Sequence, residues 1–511
     1  MLRKMFPICP LILIITIIFS GCSGDEEKEY LNLQDVLLIA QQRRLDLPRY
    51  SLESMLPVLQ KLAQEREKQF ESLTNYNVFR QRTHETKIST EEAIHDLEIL
   101  LNLMQRGYGG YIYFGGDETF LPVFAQMQMI LETQNYWYIT KFGDLIFDSL
   151  NPIINDNHFF IHNGVLGNVY KFFIPTYHFA FAYSESGFKN KEKTLYVEKI
   201  FLGEDSLILD EVFRLSLNEE GKFYYSFVLK QLSCGQNSQI SAISIIYENG
   251  YKQEIQLQAK FSERRDFKNV SLEYIQDFPV ITIQQMGFPD AHNILLRDGF
   301  WGANYDSHKF IAFIERLQNE SVIILDIRSN RGGSSILPAM WLYTFTGEIV
   351  SANFLGLEFI KYEYYFDEMY NLRGRPFYMS YDNIRKYYNP IPLLNYHIIT
   401  YSHFREIINN EQLLILLVDR YVSSAGEVFV DMVLNLKNSL IIGQNTSGAL
   451  QVVWMSYSSA LPNSRIEFAF GRSLLMHPGG HFREGVGIAP DIWVNGDALE
   501  ATITMLSANK R

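Results

Sequence analysis

Cysteine is almost absent from this 511-residue chain, occurring only as Cys9, Cys22 and Cys234. With Cys9 and Cys22 in a leader-like N-terminus, no intramolecular disulfide framework and no cysteine-based metal site can be built. Basic charge is also in short supply. Lys and Arg number 45 against 58 Asp and Glu, a formal net charge of −13. No basic cluster with interleaved aromatics occurs, which weighs against a nucleic-acid partner. His158 and His162 are not part of an HExxH pattern, so zinc is not indicated. The glycine-rich run 106–121 lacks the Lys-Ser/Thr ending of a phosphate loop. No metal and no organic cofactor is called for.

Apolar and aromatic side chains are plentiful instead. Hydrophobic residues make up 47% of the chain, with 37 Phe and 31 Tyr. That is enough for two or three well-packed domains, whose stability must come from their cores.

The first thirty residues read as a targeting segment. Arg3 and Lys4 precede an apolar run from Leu11 to Phe19, and Ser20-Gly21-Cys22 follows. Short apolar runs ending in small residues are secretory signals rather than spanning helices. Phe19 to Cys22 resembles a bacterial lipobox. That resemblance implies a signal peptide at 1–21, lipid attachment at Cys22 and a polar tether at 22–29. The mature chain would then be exported and anchored to a bacterial membrane in the cell envelope.

Residues 30–164 read as a helical region, with Leu31, Leu33, Val36, Leu37 and Ala40 at helical spacing and further amphipathic stretches at 52–80 and 91–104. Within it, Asp117 and Glu118 either bind a peptide amine or cap a helix, and the capping reading is preferred. The region ends at Asp156-Asn157-His158. A histidine between a polar turn and an apolar run suits a general base, because its ordinary pKa lies near neutrality. His162 is a weaker candidate. Residues 165–285 are rich in strand-formers and include a hairpin with an Asn249-Gly250 turn. A PDZ-like insert is one reading of this segment.

From 286 to 511 the pattern changes to strand, loop, helix. Val322 to Leu325 runs into Asp326-Ile-Arg328-Ser-Asn330-Arg-Gly332-Gly333 and then an apolar segment from Ile336. Ile415 to Val418 runs into Asp419, a polar turn to Ser424, and an amphipathic helix from Ala425. Two such units suggest neighbouring parallel strands in an α/β core, with functional groups beyond their C-terminal ends. An aromatic-rich insert spans 350–410. Ser424 is the candidate nucleophile, although a helix-capping serine would look the same. Backbone N–H groups of Gly332, Gly333 and Ala425 are candidate oxyanion donors. Glu484 could orient a histidine or pair with a basic group.

Three motifs in order resemble peptidase family S41: Asp326 to Gly333, Asp419 to Glu427, and the tail Glu484-Gly-Val-Gly-Ile-Ala-Pro-Asp491-Ile. The resemblance implies a ClpP/crotonase-like α/β core and a serine-type endopeptidase acting on peptide or protein substrates. The Ser-Lys branch of that family would place its lysine at Ala449 and its glutamine at Val453. Neither is present, and Lys437 sits in a connection elsewhere. The resemblance is therefore closer to the Ser-His-Glu branch, which implies Ser424, His158 and Glu484 as the catalytic set. A catalytically inactive peptide- or ligand-binding lipoprotein and an esterase are the alternatives.

Overall fold

A computed structural model of the chain describes residues 31–47, 86–162, 164–167, 170–173, 180–184, 186–232, 242–256, 270–286, 306–333, 335–358, 389–393, 396–400, 407–455, 459–477 and 479–509. The expected leader and tether with Cys22, the 52–80 stretch, Cys234 and most of the 350–410 insert lie outside these residues. No helix among the described residues is long and apolar enough to cross a membrane.

A ten-stranded sheet organises the molecule. Its central strands, all parallel, run in the order Phe278–Thr282, Val322–Asp326, Leu413–Val418, Ser439–Gly443, Ile492–Val494 and Phe213–Leu217. Parallel sheets need cover on both faces, so their strands read as unbroken apolar runs. The Leu413–Val418 strand shows why. Leu414, Leu416 and Val418 pack into one core, with the helices Ile336–Thr346 and Ala425–Val433. Leu413, Ile415 and Leu417 pack into the other, with the helices Leu33–Asp46 and Ala498–Asn509. Each leucine so buried contributes roughly 1.5–3 kcal/mol. Because every central strand points the same way, the turns after Asp326 and Val418 open on the same edge of the sheet.

The described residues of the segment 165–285 form many strands, divided between the main sheet and smaller sheets of their own. Its strands Phe181–Ser184, Gly187–Asn190, Phe213–Leu217 and Phe223–Phe227 extend the main sheet beyond Ile492–Val494. The Asn249-Gly250 hairpin joins Ala242–Tyr247 to Lys252–Gln256 in a separate four-stranded sheet. Gly250 takes φ 78°, as that turn requires.

The helical region forms a third layer. The helix Thr90–Gly107 starts at a capping box in which Ser89 and Glu92 exchange backbone hydrogen bonds. With Gly116–Leu131 and Ile139–Leu150 it packs on Val452, Phe468, Phe470, Leu474 and Met476 of the C-terminal half. The strand Phe160–Ile161 pairs antiparallel with Phe468 and Ala469. This stitch carries the chain just after His158 onto the half of the molecule that holds the serine. Asp117, in the first turn of its helix, does not cap it as expected: the cap position is Gly115 with no side-chain capping bond, and the Asp117 carboxylate accepts from Gln105 Nε2 and the Tyr111 hydroxyl instead.

Candidate active site

Ser424 sits where the Leu413–Val418 strand turns into the Ala425–Val433 helix. Its backbone has φ 54° and ψ −121°. A β-carbon makes that conformation costly, by about 1–3 kcal/mol, and such strain persists only where the surroundings over-determine it. Here they do. The Ser424 N–H donates to the Ala449 carbonyl (3.2 Å) and to Glu427 Oε2 (3.1 Å). The Ser424 carbonyl accepts from the amides of Glu427 and Val428. A serine on a sharp strand-to-helix turn presents its hydroxyl outward from the sheet's edge. Ser424 is accordingly half-buried while the helix behind it is fully buried.

The preceding strand–loop unit fits against this turn. Asp419 accepts from the Ser329 amide, the Ser329 hydroxyl and the Tyr421 amide, tying the two loops together. The Asn330 carbonyl accepts from the Ser423 amide. Gly332, at φ 89°, lies directly on the Ser424 turn. A β-carbon there would come within 2.7 Å of the Ser423 carbonyl oxygen and 2.8 Å of the Ala425 nitrogen and Ser424 Cβ. The Gly332 amide is spent on Asn330 Oδ1, at 2.8 Å. Of the three expected oxyanion donors, Gly333 and Ala425 are the ones with no hydrogen bond from their N–H among the described residues.

His158 follows a buried carboxyl. The Asp156 side chain accepts from the His158 amide (2.8 Å) and the Tyr108 hydroxyl (3.0 Å). Burial pushes Asp156 up to about 7 against these donors. Burial also pushes the His158 imidazole down to about 4, with a backbone contact to Val452 pulling the other way. The ring is thus neutral at pH 7. Its Nδ1 is buried without a hydrogen-bond partner.

Glu484 was expected to orient the imidazole or to pair with a cation. Among the described residues, its hydrogen bonds come from main-chain amides instead. Oε1 accepts from Asn157, and Oε2 from Leu450 and Gln451. Burial, and then the neighbouring Asp156, hold it well above the usual carboxylate range. It grips the residue next to the histidine, not the ring.

Ala449 stands where a Ser-Lys enzyme would need its lysine, and its carbonyl bonds the Ser424 amide. Lys437 is exposed and precedes the Ser439–Gly443 strand, at the end of the sheet opposite Ser424. His162 packs over Gly143 with Asp144 at 3.7 Å.

Two features went unassigned in the sequence. Glu427 is fully buried and accepts four donors: the Thr446 hydroxyl and the amides of Gly448, Ala449 and Ser424. Burial pushes it up to about 7. The Ser-x-x-Glu spacing of a capping box was the available signal. One turn further along the helix, Asp431 Oδ1 meets His481 Nε2 at 2.5 Å, beside a half-buried His477. Nothing in the local pattern joined those positions.

Residues 280–494 match the family model described as Peptidase family S41. Among solved structures, the chain is similar to mature CPAF, at 14% identity over 82% of this chain and 95% of that one, with a TM-score of 0.43. It is also similar to a lipoprotein from Streptococcus agalactiae, at 13% identity over 85% and 100%, TM-score 0.35. For the photosystem II D1 C-terminal processing protease the values are 13%, 79% and 93%, and 0.34. No curated protein matches the sequence. The family match, which spans both strand–turn–helix units and Glu484, supports a serine peptidase.

Proposed function

We propose that this chain, which carries a peptidase family S41 region at 280–494, is a serine endopeptidase using Ser424, His158 and Glu484. The observation that carries the reading is the placement of Ser424. It sits at φ 54°, ψ −121° at the mouth of a helix, pressed against Gly332, inside the family-matched region.

A serine hydroxyl is a poor nucleophile without a base. Burial keeps His158 neutral at pH 7, the state a general base requires. Ser424 Oγ attacks the peptide carbonyl and its proton passes to His158. The carbonyl oxygen becomes an oxyanion facing the amides of Ala425 and Gly333, at the positive end of the helix. That negative charge favours the imidazolium which forms beside it. The C–N bond breaks as His158 returns the proton to the leaving amine. Water, deprotonated by His158, then hydrolyses the acyl-enzyme. Glu484 serves as a positioning residue, through Asn157. Ala449 in place of a lysine favours this scheme over a Ser-Lys dyad.

The proposal extends to location: an exported chain held on a bacterial membrane by a lipid on Cys22, acting on peptides or proteins outside the cytoplasm. Cys22→Ser should release the chain from the membrane fraction.

The test of the chemistry is a fluorophosphonate serine-hydrolase probe. The wild-type chain should be labelled, and Ser424→Ala should abolish labelling and cut peptide hydrolysis at least about a thousandfold. A folded wild-type chain that takes no label favours a peptide-binding protein on the same scaffold. Labelling with cleavage of esters but not peptides favours an esterase.

A further inference from the structure

Two buried carboxylates bracket one short stretch of chain. The amides of Gly448 and Ala449 donate to Glu427, each at 2.8 Å. The next two amides, Leu450 and Gln451, donate to Glu484 at 3.1 and 2.8 Å. Four consecutive N–H groups are thus consumed by two side chains that belong to different parts of the site. The carbonyl side of the same stretch is divided likewise. Gly448 O accepts from Asn157 Nδ2 at 2.8 Å, and Ala449 O from the Ser424 amide at 3.2 Å.

The outer arms of the carboxylates complete the pattern. Glu427 Oε2 also takes the Ser424 amide, and Glu484 Oε1 also takes the Asn157 amide. The residues Gly448 to Gln451 are therefore a bridge with the nucleophile's backbone on one bank and the histidine's neighbour on the other. A run of amides sharing two carboxylates has little freedom to slide, because moving one bond strains the next. Gly448, at φ 78°, has the amides of Gly485, Val486 and Gly487 against it, so a side chain there would not fit. In a Ser-Lys enzyme this stretch would supply the base. Here its side chain at 449 is a methyl group, and what it offers is its main chain.

We propose that Glu427 is a positioning residue, acting with Glu484 through the Gly448–Gln451 bridge to hold the Ser424 turn and the His158 segment in one register. This rests on the peptidase reading above, and goes beyond it by giving a role to a residue outside the triad. Ionised Glu427 accepts on both oxygens. Whichever way it turns, the Glu427→Gln amide N–H faces a backbone donor: Ser424 and Ala449 at the Oε2 position, or Gly448 beside the Thr446 hydroxyl at the Oε1 position. The bridge then loses half of one grip without loss of volume.

The experiment compares the wild-type chain, Glu427→Gln and Asp96→Asn. Asp96 is a buried carboxylate that accepts from Asn463 and Ser464, away from the bridge, and so controls for general loss of stability. Two readouts are taken: the rate of fluorophosphonate labelling with kcat and KM on a peptide, and amide hydrogen exchange of the site segments. Glu427→Gln should label about 10–100-fold more slowly, as expected for a small misplacement of reacting groups. KM should stay within about threefold. Exchange should speed up at 448–449 and also at 450–451 and 157–158, which Glu427 does not touch. Asp96→Asn should lower the melting temperature and change neither readout.

Labelling of Glu427→Gln within about twofold of wild type overturns the proposal. Exchange altered only at 424 and 448–449 overturns it too, and so does equal slowing in an Asp96→Asn chain of matched stability. Should the Gln variant fail to fold, Thr446→Val removes the hydroxyl on Glu427 Oε1 and should shift both readouts the same way, by less. If the wild-type chain takes no label, the peptidase reading fails, while the exchange pattern still decides whether the bridge couples its two banks.

Discussion

The serine side and the histidine side of the site are held by different physics. Ser424 is fixed by its own neighbourhood: a strand buried on both faces, a strained turn and a helix packed behind it. What places it is mostly near at hand: its own helix, the loop after the adjacent strand Val322–Asp326, and Ala449 just past the next strand, whose carbonyl takes the Ser424 amide. His158 is fixed by contacts across the chain. Asn157 bonds Glu484 and Gly448, and Phe160–Ile161 pairs with Phe468–Ala469. Local order gives a site rigidity. Long-range order makes its assembly depend on the whole fold, so the histidine side is where activity can be lost with little change in the core.

The largest expected effect tests whether the histidine side takes part in chemistry at all. His158→Ala should lower kcat about 10²–10⁴-fold, the range for loss of a general base, with the melting temperature little changed. Retained kcat would move the base elsewhere and leave the second bank of the site purely structural. A smaller loss is expected from the serine side. Gly332→Ala pushes a methyl group to within 2.7–2.8 Å of the Ser424 turn, at a φ of 89°. It should cost about 1–3 kcal/mol of stability and reduce kcat roughly a hundredfold by displacing Ser424. Unchanged kcat with full stability would mean that the turn yields easily, and the contrast in rigidity between the two sides would disappear.

The same contrast sets what could be read from the sequence. The serine unit was legible because its signals are local. An apolar run, a polar turn and helical spacing sit in one window, and the glycine pair at 332–333 repeats the plan. Direction of backbone groups was not legible: nothing in Asn330-Arg-Gly332 says that the glycine's amide turns to the asparagine. His158 rested on a three-residue likeness, since no spacing rule links a histidine to a serine 266 positions later. Glu484 was found from its tail motif, but a carboxylate's partner cannot be named before the fold is known, and here it is the main chain. The fate of 165–285 shows the same limit. Its strands look self-sufficient in sequence, yet four of them join the main sheet beyond Ile492–Val494, through a pairing of Ser216 with Trp493 far along the chain.

His477 gives the smallest effect, because it meets the bridge at the Leu450 carbonyl, away from both carboxylates' hydrogen bonds. Its Nε2 lies 3.5 Å from the Leu450 carbonyl and its Nδ1 is buried without a partner. Burial, with the neighbouring His481, lowers its pKa to about 3. The folded pKa lies below the unfolded value near 6.5. The stability it leaves intact above pH 6.5 is therefore lost as pH falls from 6.5 toward 3, because the unfolded chain takes up the proton first. His158 acts with the same sign, while Asp156 and Glu427, both raised to about 7, act with the opposite one. Only a difference between variants isolates one group. His477→Leu keeps the volume and removes the titration, so the loss of stability between pH 7 and 4.5 should shrink by about 2 kcal/mol, read from denaturant midpoints. At pH 7 its labelling rate should match wild type within about twofold, since the bridge is gripped from the carboxylate side. A large drop in rate there would mean that Leu450 is held by the histidine, and that the link between the two sides needs a third support.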